Sequence, residues 1–226
     1  MKTHRSACDS SAATRRARAG LRQGARAASL EGMSIHSIEP GLLLAAPRMG
    51  DPNFEGTVVL LGAHEEGGSL GWTVNGEELG DAAAVVRATG LVDKGAELPA
   101  LFDQQALSGG PVSPESVWLL YRRSEGTELL PGSLAVGDDI AITSSIDALK
   151  LLIAGGGPSA VRLLIGYAGW GPGQLEREVS KGVWLPTAAD AALLFDDVAT
   201  TLWQRAYKQA IGGIPAAFVG TARGSA

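Results

Sequence analysis

The stretch Ile165–Leu185, I-G-Y-A-G-W-G-P-G-Q-L-E-R-E-V-S-K-G-V-W-L, limits the possible folds more than any other part of the chain. It is preceded by an apolar, β-branched run, so Val161–Tyr167 reads as a buried strand. Gly169, Gly171 and Gly173 then allow backbone conformations that a Cβ forbids. Pro172 suits the first turn of a helix, where a missing N–H is no loss. Leu175 and Val179 lie four apart and mark a buried face, with Glu176, Arg177, Glu178 and Lys181 assigned to the wet side. Gly182 sits at the C′ stop, with Val183 placed to pack back on the last turn. The order is strand, glycine elbow, helix, stop.

Upstream, Gly41–Ala46 and Thr57–Leu61 are apolar runs that read as strands, with Ser69–Asn75 a third. His64–Gly68 is a connector of hairpin length, so these segments are expected to neighbour one another antiparallel. Met49–Phe54 is a loop, because Asp51 and Asn53 bond their own backbone and Pro52 presets a turn. A helix is expected over Asp81–Leu91, with Asp81 at the N-cap position. Strands follow at Gln105–Gly109, Val117–Arg122 and Asp138–Thr143. Ser144 or Ser145 caps a helix over Ile146–Ala154 that ends at Gly155–Pro158. After the elbow come a short strand at Val183–Leu185, a helical turn at Ala188–Phe195 and a closing helix over Val198–Ala210. No internal repeat or linker interrupts residues 36–212, which read as one domain.

Charge is unevenly distributed. Residues 1–32 carry seven basic and two acidic side chains, leaving 12 basic against 22 acidic in residues 33–226. The body is therefore at −10, which disfavours sequence-independent contact with phosphate backbones. Residues 1–35 form a basic leader poor in large apolar residues, expected to stay disordered or to be an untranslated artefact with Met33 as the true start. Arg15-Arg16 lacks a following apolar region, so an export signal is not expected. Residues 213–226 read as a flexible tail. No run of about 18 apolar residues suggests a membrane helix. The one cysteine, Cys8, builds neither a disulfide nor a zinc site, and a reducing, cytoplasmic setting is expected.

Three motifs together, Gly41–His64 (G-L-L-L-A-A-P-R-M-G-D-P-N-F-E-G-T-V-V-L-L-G-A-H), Ser108–Val112 (S-G-G-P-V) and Leu164–Leu185, resemble the YqgE/AlgH family of bacterial proteins over residues 38–212. The resemblance implies an α+β fold: a mixed, largely antiparallel, bifurcated and partly barrel-like sheet flanked by helices. Family members are mostly uncharacterised, and one branch is named for regulation of transcription linked to alginate production. The resemblance carries over no catalytic residue. Where the family usually has Asn-Arg-Pro after the third strand, this chain has Asn75-Gly76-Glu77.

Candidate chemistry divides between side chains and main chain. The elbow has the makings of an anion cradle, but it lacks the third glycine of a dinucleotide fingerprint and Pro172 deletes a donor. A tight packing corner with Trp170 as plug is the favoured reading. Gly109, Gly110 and Pro111 equally suit a bend or a close backbone approach. No Gly-x-Ser-x-Gly occurs, and only His36 and His64 lie in the body, so neither a nucleophile–base pair nor a metal cluster is evident. The expected role is a non-enzymatic binding or regulatory module, without cofactor, acting through a protein or small-molecule partner. Its contact surface is placed at Asp51, Asn53, Phe54, Gly109, Gly110, Pro111, Gly169, Trp170, Gly171, Gly173, Gln174 and Trp184, with the rings of Trp170 and Trp184 expected to be accessible. The alternative is a hydrolase-like enzyme in which Asp51, His64 and Ser108 converge.

Overall fold

The first two strands are apolar without alternation because both of their faces are covered. In β1 (Gly41–Ala45), Leu42 and Leu44 enter one buried cluster while Leu43 and Ala45 enter another. In β2 (Val58–Glu65) the split repeats, with Val58 and Leu60 on one side and Val59 and Leu61 on the other. Successive side chains point to opposite faces, so a strand buried on both must be apolar throughout. The computed structural model describes residues 38–47, 54–93, 95–196 and 199–211. The expected leader, most of the Met49–Phe54 loop and the tail lie outside them.

A two-residue turn at Glu66-Gly67 joins β2 to β3 (Gly68–Thr73), and β1, β2 and β3 are antiparallel neighbours, as expected. The remaining strands are β4 (Glu78–Asp81), β5 (Gln105–Ser108), β6 (Val112–Arg122), β7 (Leu134–Val136), β8 (Ile140–Thr143), β9 (Val161–Trp170) and β10 (Trp184–Thr187). Eight of them form a curled half-barrel in the order β10-β1-β2-β3-β9-β6-β8-β7. The sheet divides at β9. Leu164 and Ile165 run parallel to β5, which carries β4, whereas Ala168–Trp170 pair antiparallel with β3. Gly166, at φ +74°, lies between the two halves. The α+β, bifurcated, partly barrel-like fold implied by the resemblance is the one observed.

Among the described residues five α-helices cover this sheet: α1 (Ala82–Ala88), α2 (Ile146–Ile153), α3 (Gln174–Ser180), α4 (Ala191–Asp196) and α5 (Ala199–Ile211). Leu193 and Leu194 of α4, with Leu202, Ala206 and Tyr207 of α5, fill the curl against Leu42, Leu60, Trp72 and Ile142. The α5 helix is tied to β1 because Trp203 Nε1 and Tyr207 Oη both donate to the Ala45 carbonyl, at 2.8 and 2.9 Å. A second cluster lies under α1 and α2, and a third, smaller one under α3.

Several boundaries differ from the sequence expectation. β6 begins at Val112 rather than Val117, and β4 and β7 had no sequence signal. The first helix ends at Ala88, and Asp81 makes no capping bond; its Oδ1 accepts from Gln105 Nε2 instead, at 3.0 Å. Ser145 does cap α2, accepting from Asp147 N at 3.2 Å. The α3 stop is as expected: Gly182 has φ +71°, its N–H reaches Val179 O, and Val183 N reaches Glu178 O, the paired bonds of a Schellman ending.

Candidate functional site

The elbow is shorter than the sequence suggested. β9 continues through Gly169 to Trp170, so only Gly171, Pro172 and Gly173 turn the chain before α3 starts at Gln174. Gly173, at φ +68°, takes the N-cap position, and Pro172 precedes it instead of occupying the first helical turn. Gln174 then closes the turn, its Oε1 accepting from Gly171 N at 3.1 Å.

Glu178 holds the unit together. Its Oε2 accepts from Trp170 Nε1 at 2.9 Å and from Trp184 Nε1 at 2.8 Å, while Oε1 accepts from Gln174 Nε2 at 2.8 Å. One carboxylate thus satisfies two indole donors that an apolar setting would otherwise strand. The assignment of Glu178 to the wet face is corrected: it is half-buried because it turns toward the tryptophans. The expectation that glycines leave the rings open is corrected too. Trp170 is 7 % exposed and Trp184 2 %, packed edge to face at 5.9 Å with Phe54 5.6 Å from Trp184. Glycine neighbours remove side-chain bulk only beside the ring; Leu175 and Val179 of α3 cover this cluster from above.

His64 belongs to the same neighbourhood. The Glu66-Gly67 turn sets His64 opposite Ser69, and Ser69 opposite Trp170, so the three side chains share a face. His64 Nδ1 lies 2.7 Å from Ser69 Oγ, and Nε2 is 3.8 Å from Glu176 Oε1. Sequence reading passed over Ser69 and treated Glu176 as solvated. The two-residue turn was the signal that pairs Ser69 with His64.

Ser108 does not join them. It pairs with Ile165, five positions from the Trp170 that flanks Ser69, which places it about 16 Å away along β9. Asp51 and Asn53 lie outside the described residues. Gly109 and Gly110 are packing positions: a Cβ on either would come within 3.0 Å of the β9 backbone at Gly166 and Tyr167. Gly109 also ties two strands together, accepting from Thr73 N at 2.8 Å and donating to Ile165 O at 2.7 Å. Gly76, standing where the resemblance expects arginine, leaves no room for a side chain against the Ser108 carbonyl. Gly171, Pro172, Pro111 and Val112 are exposed.

A cleft of about 950 Å³ lies elsewhere, and none of the expected site residues lines it. Its walls come from Glu39 and Pro40 just before β1, the end of β6, the β7–β8 turn, the run from β10 into α4, and Gln209 of α5. Arg122 Nη2 donates to Asp196 Oδ1 at 2.8 Å and to Ala191 O at 2.9 Å, and its guanidinium lies 5.5 Å from the Phe195 ring centre. Asp190 caps α4 by accepting from Ala192 N and Leu193 N, and its Oδ2 accepts from Gln209 Nε2 at 2.6 Å. The Gln209 bond is the main reason that the Asp190 carboxyl is held below its usual range; the helix N–H groups and Arg122 add to this, against the opposing effect of burial.

The divided, curled sheet flanked by helices places the chain in the class of α+β half-barrel proteins. The chain belongs to the AlgH-like family (DUF179), whose profile matches residues 42–215. It is 37% identical over 186 residues to a UPF0301 protein of Anaeromyxobacter dehalogenans, covering 80% of this chain and 92% of that one. It is 38% identical over 185 residues to a UPF0301 protein of Sphingopyxis alaskensis, covering 82% and 94%. The solution structure of AlgH from Pseudomonas aeruginosa superposes with a TM-score of 0.64 at 31% identity, over 87% of this chain and 100% of that one. A crystal structure of protein DIP2367 from Corynebacterium diphtheriae, at 22% identity and TM-score 0.62 over 78% and 90%, shares the fold. Among the described residues no helix is long and apolar enough to cross a membrane.

Proposed function

We propose that this chain is a non-enzymatic binding or regulatory module of the cytoplasm, acting through a protein or small-molecule partner. The observation that carries this reading is the internal use of the elbow's polar groups. Glu178, Gln174 and both indole donors bond one another, leaving the exposed Gly171-Pro172 and Pro111-Val112 segments as the surface offered to a partner. The −10 balance of residues 33–226 favours an indirect route to any effect on transcription. In the test, tagged full-length protein captures its partner from the native lysate, and Pro172→Glu and Val112→Glu each reduce capture without lowering thermal stability. Undiminished capture by both variants contradicts the placement of the surface.

A second reading rests on the 2.7 Å contact between His64 and Ser69, with Glu176 beyond the ring. A serine, a base and an orienting acid in that order are the elements of an activated nucleophile. Saponification of an activated ester at a rate that His64→Ala abolishes is the result that selects this reading over the first.

A further inference from the structure

We propose that the cleft between the β7–β8 turn and the entrance to α4 is a docking groove for the chain's own basic leader, residues 1–32. This inference stands apart from the partner surface above, because the cleft shares no residue with it. Three observations converge. First, the described chain begins at the groove: Ile38 is buried, and the next two residues, Glu39 and Pro40, form part of its wall. Second, the groove and the leader have opposite charge. Five carboxylates (Glu39, Asp138, Asp139, Asp190 and Asp196) line the groove against two guanidiniums, while the leader carries seven basic side chains against two acidic ones. Asp190 and Asp196 are committed to Gln209 and Arg122, but Glu39, Asp138 and Asp139 are exposed and form no ion pair among the described residues. Third, the lengths fit. Residues 27–37 separate Arg26 from Ile38, an extended reach of roughly 35–40 Å, enough to bring Arg15, Arg16, Arg18, Arg22 and Arg26 over the groove.

Tethering makes weak attraction sufficient. A segment attached at the edge of its own groove experiences an effective concentration on the order of millimolar, so contacts too weak to hold a free peptide populate the docked state. The groove also offers exposed apolar wall from Pro40, Pro186 and Ala188, against which the leader's alanines and arginine stems pack.

Cys8, the only cysteine, permits a test on the full chain without adding a residue. A nitroxide is attached to Cys8 and the intensities of backbone amide signals are compared before and after reduction of the label. The proposal expects several-fold attenuation concentrated at Gly137, Asp138, Asp139 and Ala189 in about 0.01 M salt, and its loss in about 1 M salt, where the screening length falls from about 30 to about 3 Å. Arg18→Glu/Arg22→Glu/Arg26→Glu, which leaves the body untouched, abolishes the attenuation. Combining it with Asp138→Lys/Asp139→Lys restores it. Absent or evenly spread attenuation overturns the proposal, as does attenuation indifferent to the leader reversal. If the groove serves a basic segment of another protein, its amides stay unattenuated by the label yet shift when an arginine-rich peptide is added, and the proposal is wrong.

Discussion

Replacing Glu178 separates hydrogen bonding from packing at the elbow. The carboxylate is half-buried, and the two indole donors it serves belong to rings 7 % and 2 % exposed. In Glu178→Ala, water follows into the vacated space and recovers part of the lost bonding, so the cost is about 2 kcal/mol. Glu178→Leu keeps that water out and leaves both N–H groups facing hydrocarbon. Each stranded donor costs about 1–3 kcal/mol, so the leucine variant loses roughly 2–6 kcal/mol, less a small gain from its own burial. At about 2–4 °C per kcal/mol for a domain of this size, melting falls by about 4–8 °C for alanine and by more for leucine. Glu176→Leu, one turn face away, is the control and stays within about 1 kcal/mol of the parent because its contact to His64 is long and partly exposed. The assay is thermal unfolding followed by circular dichroism, with the Trp170 and Trp184 indole proton resonances as local reporters. If leucine proves milder than alanine, packing rather than hydrogen bonding holds the elbow and the reasoning fails.

Gly110→Ala is expected to cost more than about 2 kcal/mol, because φ +144° and contact with the Tyr167 backbone leave the Cβ nowhere to go; Gly126→Ala, at φ +76° in open surroundings, costs about 1. Denaturant midpoints distinguish the two. Because the folded pKa of Asp190 lies below its ordinary 3.8, its contribution is present above that value and disappears as pH falls through the lowered one. Asp190→Asn therefore flattens the acid limb of the stability profile below about pH 4. At the alkaline end, burial pushes Tyr207 up to about 12 from 10.0, so its contribution is whole below pH 10 and is lost as pH rises toward 12. Tyr207→Phe flattens that limb and costs about 1 kcal/mol at neutral pH, since Trp203 still satisfies the Ala45 carbonyl.

Local signals in the chain were legible. The apolar runs of β1, β2 and β9, the Ser145 cap and the Gly182 stop each depend on residues within a few positions of one another. What escaped notice was non-local. Glu178 sits three residues after Leu175, at the edge of the buried face of α3, and its charge rather than its spacing pointed to solvent; only the return of β10 brings Trp184 in beside Trp170 at its oxygens. β4 and β7, at four and three residues, are too short to show periodicity and exist because β5 and β8 offer them an edge. The cleft is assembled from five separated segments, so Arg122, Asp138 and Asp190 carry no common sequence signature. Ser108 stands beside Gly109 and Gly110. Those glycines serve the approach of β9, and the serine that meets His64 is Ser69, across the hairpin.

The glycine motifs shape main chain into a contact surface, and the His64–Ser69 contact pins the two strands of the hairpin rather than activating a nucleophile. Intact-mass analysis after incubation with a fluorophosphonate tests it most directly. A chain of unchanged mass is expected; a single adduct that maps to Ser69 and vanishes in His64→Ala contradicts the non-enzymatic reading.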